Sequence, residues 1–322
     1  MKKMILSLVA AIVAATATYA QNSLVATLTH EGTSTAYYGP TALVQAHEAA
    51  VDGDVITLSS GTFNPTDITK GITLRGAGAT VDLDNHIEPT IISGYFAIGT
   101  YQTTNGLIIE GIYNDNTIYY TGTINKALFV KNRFKRFAPN NTSSYLIENT
   151  FVNCIFTEGI SGTSSNGSAT LMNCVVFNDY TTYNLNCTNC VIAYPSYYNS
   201  CTLRNCILLG EDGEISASNS VYRCISDYEY AFDAIPNTTN YVVSMDDLFK
   251  NNNIDINEWN DLYNFELKDE AKTTYPGIDG TEIGIYGGDL PFNLIPSNPQ
   301  ITRFDMNSNA ENGKLTVKIN VQ

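Results

Sequence analysis

Four of the chain's 17 cationic side chains fall within six residues, in Lys131-Asn132-Arg133-Phe134-Lys135-Arg136. On a strand, Lys131, Arg133 and Lys135 would share one face. A basic strip on an acidic chain could grip an anionic sugar. Elimination beside a sugar carboxylate needs a base, with cations or calcium to hold that carboxylate. Lys131 and Arg133 are the residues such a lyase would use; a solvated strand face is the plainer reading. Acidic clusters at Asp82/Asp84, Asp227/Glu229, Asp246/Asp247 and Asp255 could offer oxygen ligands to calcium, but none follows a full calcium-loop pattern. Tyrosines give a third kind of chemistry. Tyr180, Tyr183, Tyr194, Tyr197 and Tyr198 recur in polar segments between apolar bursts. In stacked register they would line one flank, where amphipathic rings can stack on sugars or meet a protein partner. These five tyrosines, with Lys131, Arg133 and Lys135, are the candidate binding residues. Packing between coils is the alternative for the tyrosines, and packing is also expected of the single Trp259.

The elements that must position these residues form a repeat. Asn-Cys pairs recur at Asn153-Cys154, Asn173-Cys174, Asn189-Cys190 and Asn205-Cys206, with a degenerate Arg223-Cys224. The cysteines are 20, 16, 16 and 18 residues apart. Leu107–Ile112 and Val130–Phe134 read as earlier copies. A period near 20 marks a solenoid. The bursts are four to six residues long, rich in Val, Ile and Phe, and bounded by Asn, Gly, Ser and Thr, which excludes helical repeats. The expected fold is all-β: a parallel β-helix of about three short strands per coil. Asn tolerates the left-handed backbone of a tight turn, and stacked Asn side chains could bond in a ladder. The following Cys would point inward as a small buried hydrophobe. Cysteines 154, 174, 190, 206 and 224 are therefore expected as a buried thiol stack. One or two disulfides, or a metal site at Cys187, Cys190, Cys201 and Cys206, are the alternatives.

The 322 residues carry a net charge of −15, with 32 acidic against 17 basic side chains. That balance argues against nucleic acid and against docking on anionic membrane. The 35 Asn, 36 Thr and 21 Tyr suit many short strands and turns. Residues 1–20 read as a secretory signal peptide: Lys2 and Lys3, an apolar run from Met4 to Ala15, then Thr18-Tyr19-Ala20 before the cut. The apolar run is short for a membrane span, and no later segment reads as one. A secreted or cell-envelope location follows as the expectation.

Both ends look capped. Thr41–Val51 reads as a short amphipathic helix before the coil strand at Val55–Leu58. The run TALVQAHEAAVDGDVITLSSGTFN, followed by ITKGITLRGAG, resembles the N-terminal entry of pectin-lyase-like right-handed parallel β-helix proteins. Asp247-Leu248-Phe249, Asn264–Lys268 and the segment Pro276–Gly288 resemble the closing pattern of secreted bacterial members. The resemblance covers residues 41–288 and implies fold and secretion; it says little of activity. Residues 21–290 are thus read as the β-helix domain with its caps. Residues 291–322 are read as a Pro-rich linker and a short C-terminal β-hairpin. That tail is similar to tails of exported Bacteroidetes proteins, either docked on the last coil or serving in sorting.

Polygalacturonase-type hydrolases of this fold carry clustered Asp residues and a Gly-His-Gly. Here His30, His47 and His86 all lie outside any such motif. The leading expectation is an exported, non-enzymatic protein binding a polysaccharide or surface glycan along its flank, without cofactor. The alternative is a polysaccharide lyase or hydrolase acting on acidic polysaccharide, with calcium in the lyase case.

Overall fold

The computed structural model describes residues 24–81, 87–99, 104–161, 167–177, 182–195, 198–210, 215–235, 239–251, 253–297, 301–306 and 317–321. Residues 1–20, the expected signal peptide, lie outside them, as do His86, Asp82, Asp84, Tyr180 and Tyr197. The chain is 41% strand and 8% helix, wound into a parallel β-solenoid of about eight turns. Two sheets of 11 strands run the length of the stack, and a third side carries shorter ones. In the first sheet, Val55–Leu58 pairs in parallel with Thr73–Arg75, and the pattern continues coil by coil to Ser220–Tyr222. An antiparallel hairpin, Val25–His30 with Thr33–Tyr38, heads this sheet.

Strand alternation builds the core. The inner row of the first sheet runs Ile56, Leu74, Ile109, Phe129, Phe151, Leu171, Cys187, Leu203 and Val221, all buried. The middle coils hold an aromatic block in which Phe129 stacks on Phe151 at 4.5 Å and Phe134 meets Phe156 at 5.8 Å. The capping helix is Ala42–Ala49, with Ala42, Leu43 and Ala46 in the core. Its C-terminal carbonyls would otherwise lack partners. Lys70 Nζ supplies them, donating to the carbonyls of His47 (2.5 Å), Glu48 (3.0 Å) and Ala50 (2.7 Å).

The turn column follows the expected backbone. Lys131, Asn153, Asn173, Asn189, Asn205 and Arg223 all hold φ between 50° and 55°. The strand register fixes their alignment: Lys131 stands in the Asn153 position, and Asn132 stands in the Cys154 position. The cysteines are buried and unpaired. Their thiols do more than fill space. Cys154 N–H donates to Cys174 Sγ at 3.4 Å, and that thiol donates to the Phe151 carbonyl at 3.4 Å. Asn132 makes the same two bonds two coils earlier, accepting from Ile112 N–H (3.0 Å) and donating to the Ile109 carbonyl (2.8 Å). Asn240 does so at the other end, accepting from Cys224 N–H (2.9 Å) and donating to the Val221 carbonyl (3.3 Å). The thiol column therefore satisfies turn backbone and has an amide at each end.

The turn asparagines do not form a mutual ladder. They hold a return segment of the chain. Asn205 Oδ1 accepts from Ile278 N–H at 2.9 Å. Asn173 Nδ2 donates to the carbonyls of Ile285 and Gly287, both at 2.8 Å. Asn153 Nδ2 reaches the Pro291 carbonyl at 3.5 Å. Lys131 Nζ donates to the Ile295 carbonyl at 2.6 Å, and Glu110 accepts from Ser297 N–H at 2.7 Å. Residues 278–297 thus run back along the stack from the Asn205 coil to the Glu110 coil. The approach is close: a Cβ on Gly288 would lie 2.2 Å from Asn189 Nδ2, and one on Gly284 would lie 2.6 Å from Ile207 Cδ1. The Pro-rich segment expected as a linker is, through Ser297, part of this strap. Beyond it, Ile301–Met306 and Val317–Val321 pair antiparallel as the short C-terminal hairpin.

From the Ile155 strand onward the second sheet is apolar on both faces. Its outer row, Ile155, Val175, Val191, Ile207 and Ile225, is covered by Val243, Leu248, Phe249, Phe265, Leu267, Ile283 and Ile285. No helix of the described residues is long and apolar enough to cross a membrane.

Candidate functional site

Arg133 sits at the start of strand Arg133–Pro139 on the outer row of the second sheet, where the covered apolar stretch begins. It is only 15% exposed, pairs with Asp261 of the cover at 2.8 Å, and lies over the Tyr113 ring at 4.5 Å. Lys135, two residues on, pairs with Glu158 at 3.2 Å. Lys131 is not on that strand face. Its left-handed backbone puts it in the turn, and its ammonium holds the strap. The three expected ligand cations are therefore engaged within the molecule, two of them fastening the C-terminal region.

The tyrosines do not make one flank. Alternation on the third side sends Thr182 and Tyr198 inward and leaves Tyr183 41% exposed. Tyr198 is fully buried, so it is a core residue and not a contact for ligand; its hydroxyl has no partner among the described residues. Tyr194 follows the strand Val191–Ala193 of the second sheet, on another side of the coil. Trp259 is half-buried, edge-on to Phe177 at 5.6 Å, with Nε1 donating to Asp261 at 2.7 Å. It packs, as expected.

Tyr194 and two residues from the acidic clusters come together in a cleft. Its walls are Tyr194, Asp227, Met245, Ile254, Asp255, Ile256 and Asn257, enclosing about 460 Å³. The solenoid supplies one wall. Tyr194 holds φ 57° and donates its N–H to the Leu209 carbonyl at 2.8 Å. Gly210 N–H donates to Asp227 Oδ1 at 3.1 Å, fixing that carboxylate. A Cβ on Gly210 would press within 3.5 Å of the Tyr194 ring and 3.6 Å of Ile256. The cover supplies the other wall. Asp255 Oδ1 accepts from the backbone and side-chain amides of Asn257, at 2.9 and 3.0 Å, the local turn that Asp favours. Those two bonds hold the Asp255 carboxyl below its usual range. Tyr263 braces the loop, accepting from Asp255 N–H at 2.8 Å. The Tyr194 hydroxyl donates to Asn257 Oδ1, tying the two walls together.

Polar groups set over Ile and Met side chains can pair with hydroxyls while taking the apolar face of a ring. Among the described residues, no three His, Cys, Asp or Glu side chains gather as a metal site. Sequence reading singled out Tyr194, Asp227 and Asp255 separately. It missed Met245, Ile254, Ile256 and Asn257, whose types carry no signal without the fold that brings the cover onto the second sheet. No protein-family model matches the chain, and neither a curated protein nor a solved structure shows significant similarity to it.

Proposed function

We propose that this is an exported β-helix protein that binds a glycan in the Tyr194 cleft and does so without catalysis. The secretory signal and the likeness to pectin-lyase-like bacterial proteins support the exported part. The carrying observation for binding is the cleft, where one tyrosine, one amide and two carboxylates stand over Ile254, Ile256 and Met245. The internal pairing of Arg133 and Lys135, and the use of Lys131 on the strap, weigh against a lyase that grips uronates through them.

The test is a glycan array followed by titration of Tyr194→Ala and Asn257→Ala. Each is expected to weaken the best ligand by about tenfold or more, the scale of one lost contact of about 1.4 kcal/mol. Unchanged affinity in both would remove the cleft as the site. A hydrolase is the second reading, because Asp227 and Asp255 line one cleft and paired carboxylates cleave glycosides. New reducing ends from any bound oligosaccharide would establish it.

A further inference from the structure

We infer that the cleft selects amine-bearing sugars, of the glucosamine-oligomer type, over uronates. This rests on the glycan-binding reading and names the ligand class for the same site. None of the seven lining residues is basic, and two are carboxylates. The stretch of sequence that supplies six of the seven lining residues is itself acidic: residues 227–261 hold Asp227, Glu229, Asp233, Asp246, Asp247, Asp255, Glu258 and Asp261 against Lys250 alone. Three cations that bond to this region or to the adjoining 266–269 stretch are turned to other tasks. Lys250 pairs with Glu266 at 2.6 Å and Asp269 at 3.5 Å, Lys268 Nζ donates to the Asp246 carbonyl, and Arg133 pairs with Asp261.

A uronate entering this field would bring its carboxylate against like charge with no cation among the described lining residues to receive it, which is costly. An ammonium gains from the same field. It can donate to a carboxylate in a charge-assisted bond, and an aromatic ring beside it adds a cation–π contribution. The amide donors of Asn257 favour the charged form of Asp255.

The test is calorimetric titration of the intact protein with four probes: a glucosamine oligomer, its N-acetylated counterpart, a galacturonic acid oligomer of equal length, and spermidine. The glucosamine oligomer should bind about tenfold tighter than the N-acetylated one, and the preference should shrink as salt is raised. The galacturonate should bind weakest. Asp255→Asn and Asp227→Asn each keep an oxygen for the amides of Asn257 and Gly210, and each should bring the amine-to-acetyl ratio toward one. Equal affinity for the amine and acetyl oligomers would overturn the selectivity while leaving glycan binding standing. Tightest binding of galacturonate would overturn it by sign. Spermidine binding as well as the sugar amine would show a cation site with no glycan in it. No saccharide binding at all would overturn this inference together with the reading beneath it.

Discussion

Asn173 does two jobs that its sequence position foretells only in part. The left-handed turn was legible, because few residues other than Gly and Asn adopt φ near 50° cheaply. Its side-chain partners were not, because the strap they bind lies 112 and 114 residues further on. Asn173→Gly keeps the turn and loses both bonds. It should cost about 1–3 kcal/mol in denaturant unfolding, the range for buried carbonyls left unpaired. Asn173→Asp should cost more, since it sets a carboxylate against two carbonyls; equal stability of the Asp variant would contradict the bond assignment. Tyr198 makes the opposite case. It is a tyrosine of the same polar segment as Tyr194, yet strand alternation buries it with a hydroxyl unpartnered among the described residues. Tyr198→Phe should leave the thermal midpoint unchanged or raise it, by about 1 kcal/mol in stability. A clear loss of stability would mean that hydroxyl is bonded.

At the level of elements, strand pattern and period revealed the coils, and the entry motif revealed the capping helix. The strap and the cover were harder to see, because their contacts are long-range and their sequence is turn-rich rather than periodic. A hint lay in the glycines of Ile283–Gly288, which the close approach to Ile207 and Asn189 requires. The place of Lys131 in the turn column was obscured because the basic run reads as one strand face. Reading Val130–Phe134 as a copy of the Asn-Cys segments sets Asn132 against Cys154, as strand pairing does, and there an amide can make the same bonds as a thiol.

The capping helix carries a pH response of its own. His47 is 6% exposed, and its Nε2 accepts from Thr69 N–H at 3.2 Å, so the bond needs the neutral ring. Burial, with Lys70 nearby, pushes its pKa below the ordinary 6.5. The unfolded chain then binds the proton more readily than the folded one. The stability His47 contributes is present above 6.5 and is lost as pH falls from there through the lowered folded value. Thermal midpoints measured on descending pH should show this loss, and His47→Gln, which keeps an acceptor, should flatten it. An unaltered profile in the variant would assign the acid sensitivity elsewhere.

Across the whole molecule, the solenoid buries all seven cysteines. Burial, reinforced by bonds to neighbouring thiols, pushes Cys174 and Cys206 up, and burial raises Cys201 to about 11. Enclosure, common to all seven, keeps reagent from every thiol of the column. Alkylating reagent should therefore leave the native protein unlabelled and modify seven thiols after denaturation; rapid labelling of native protein would contradict the stacked column. The strap also fixes how the molecule is laid out. It carries the chain from the later coils back to Glu110, so the C-terminal hairpin follows a segment anchored in the early coils, while the Tyr194 cleft lies among the later ones.

The central claim is that this cleft is where a glycan binds. The most direct measurement is titration of the intact protein and its Tyr194→Ala variant with the strongest oligosaccharide from an array, with circular dichroism confirming that both are folded. The account predicts saturable binding by the native protein and a loss of about tenfold or more in the variant. No binding by the native protein, or equal binding by both, would contradict it.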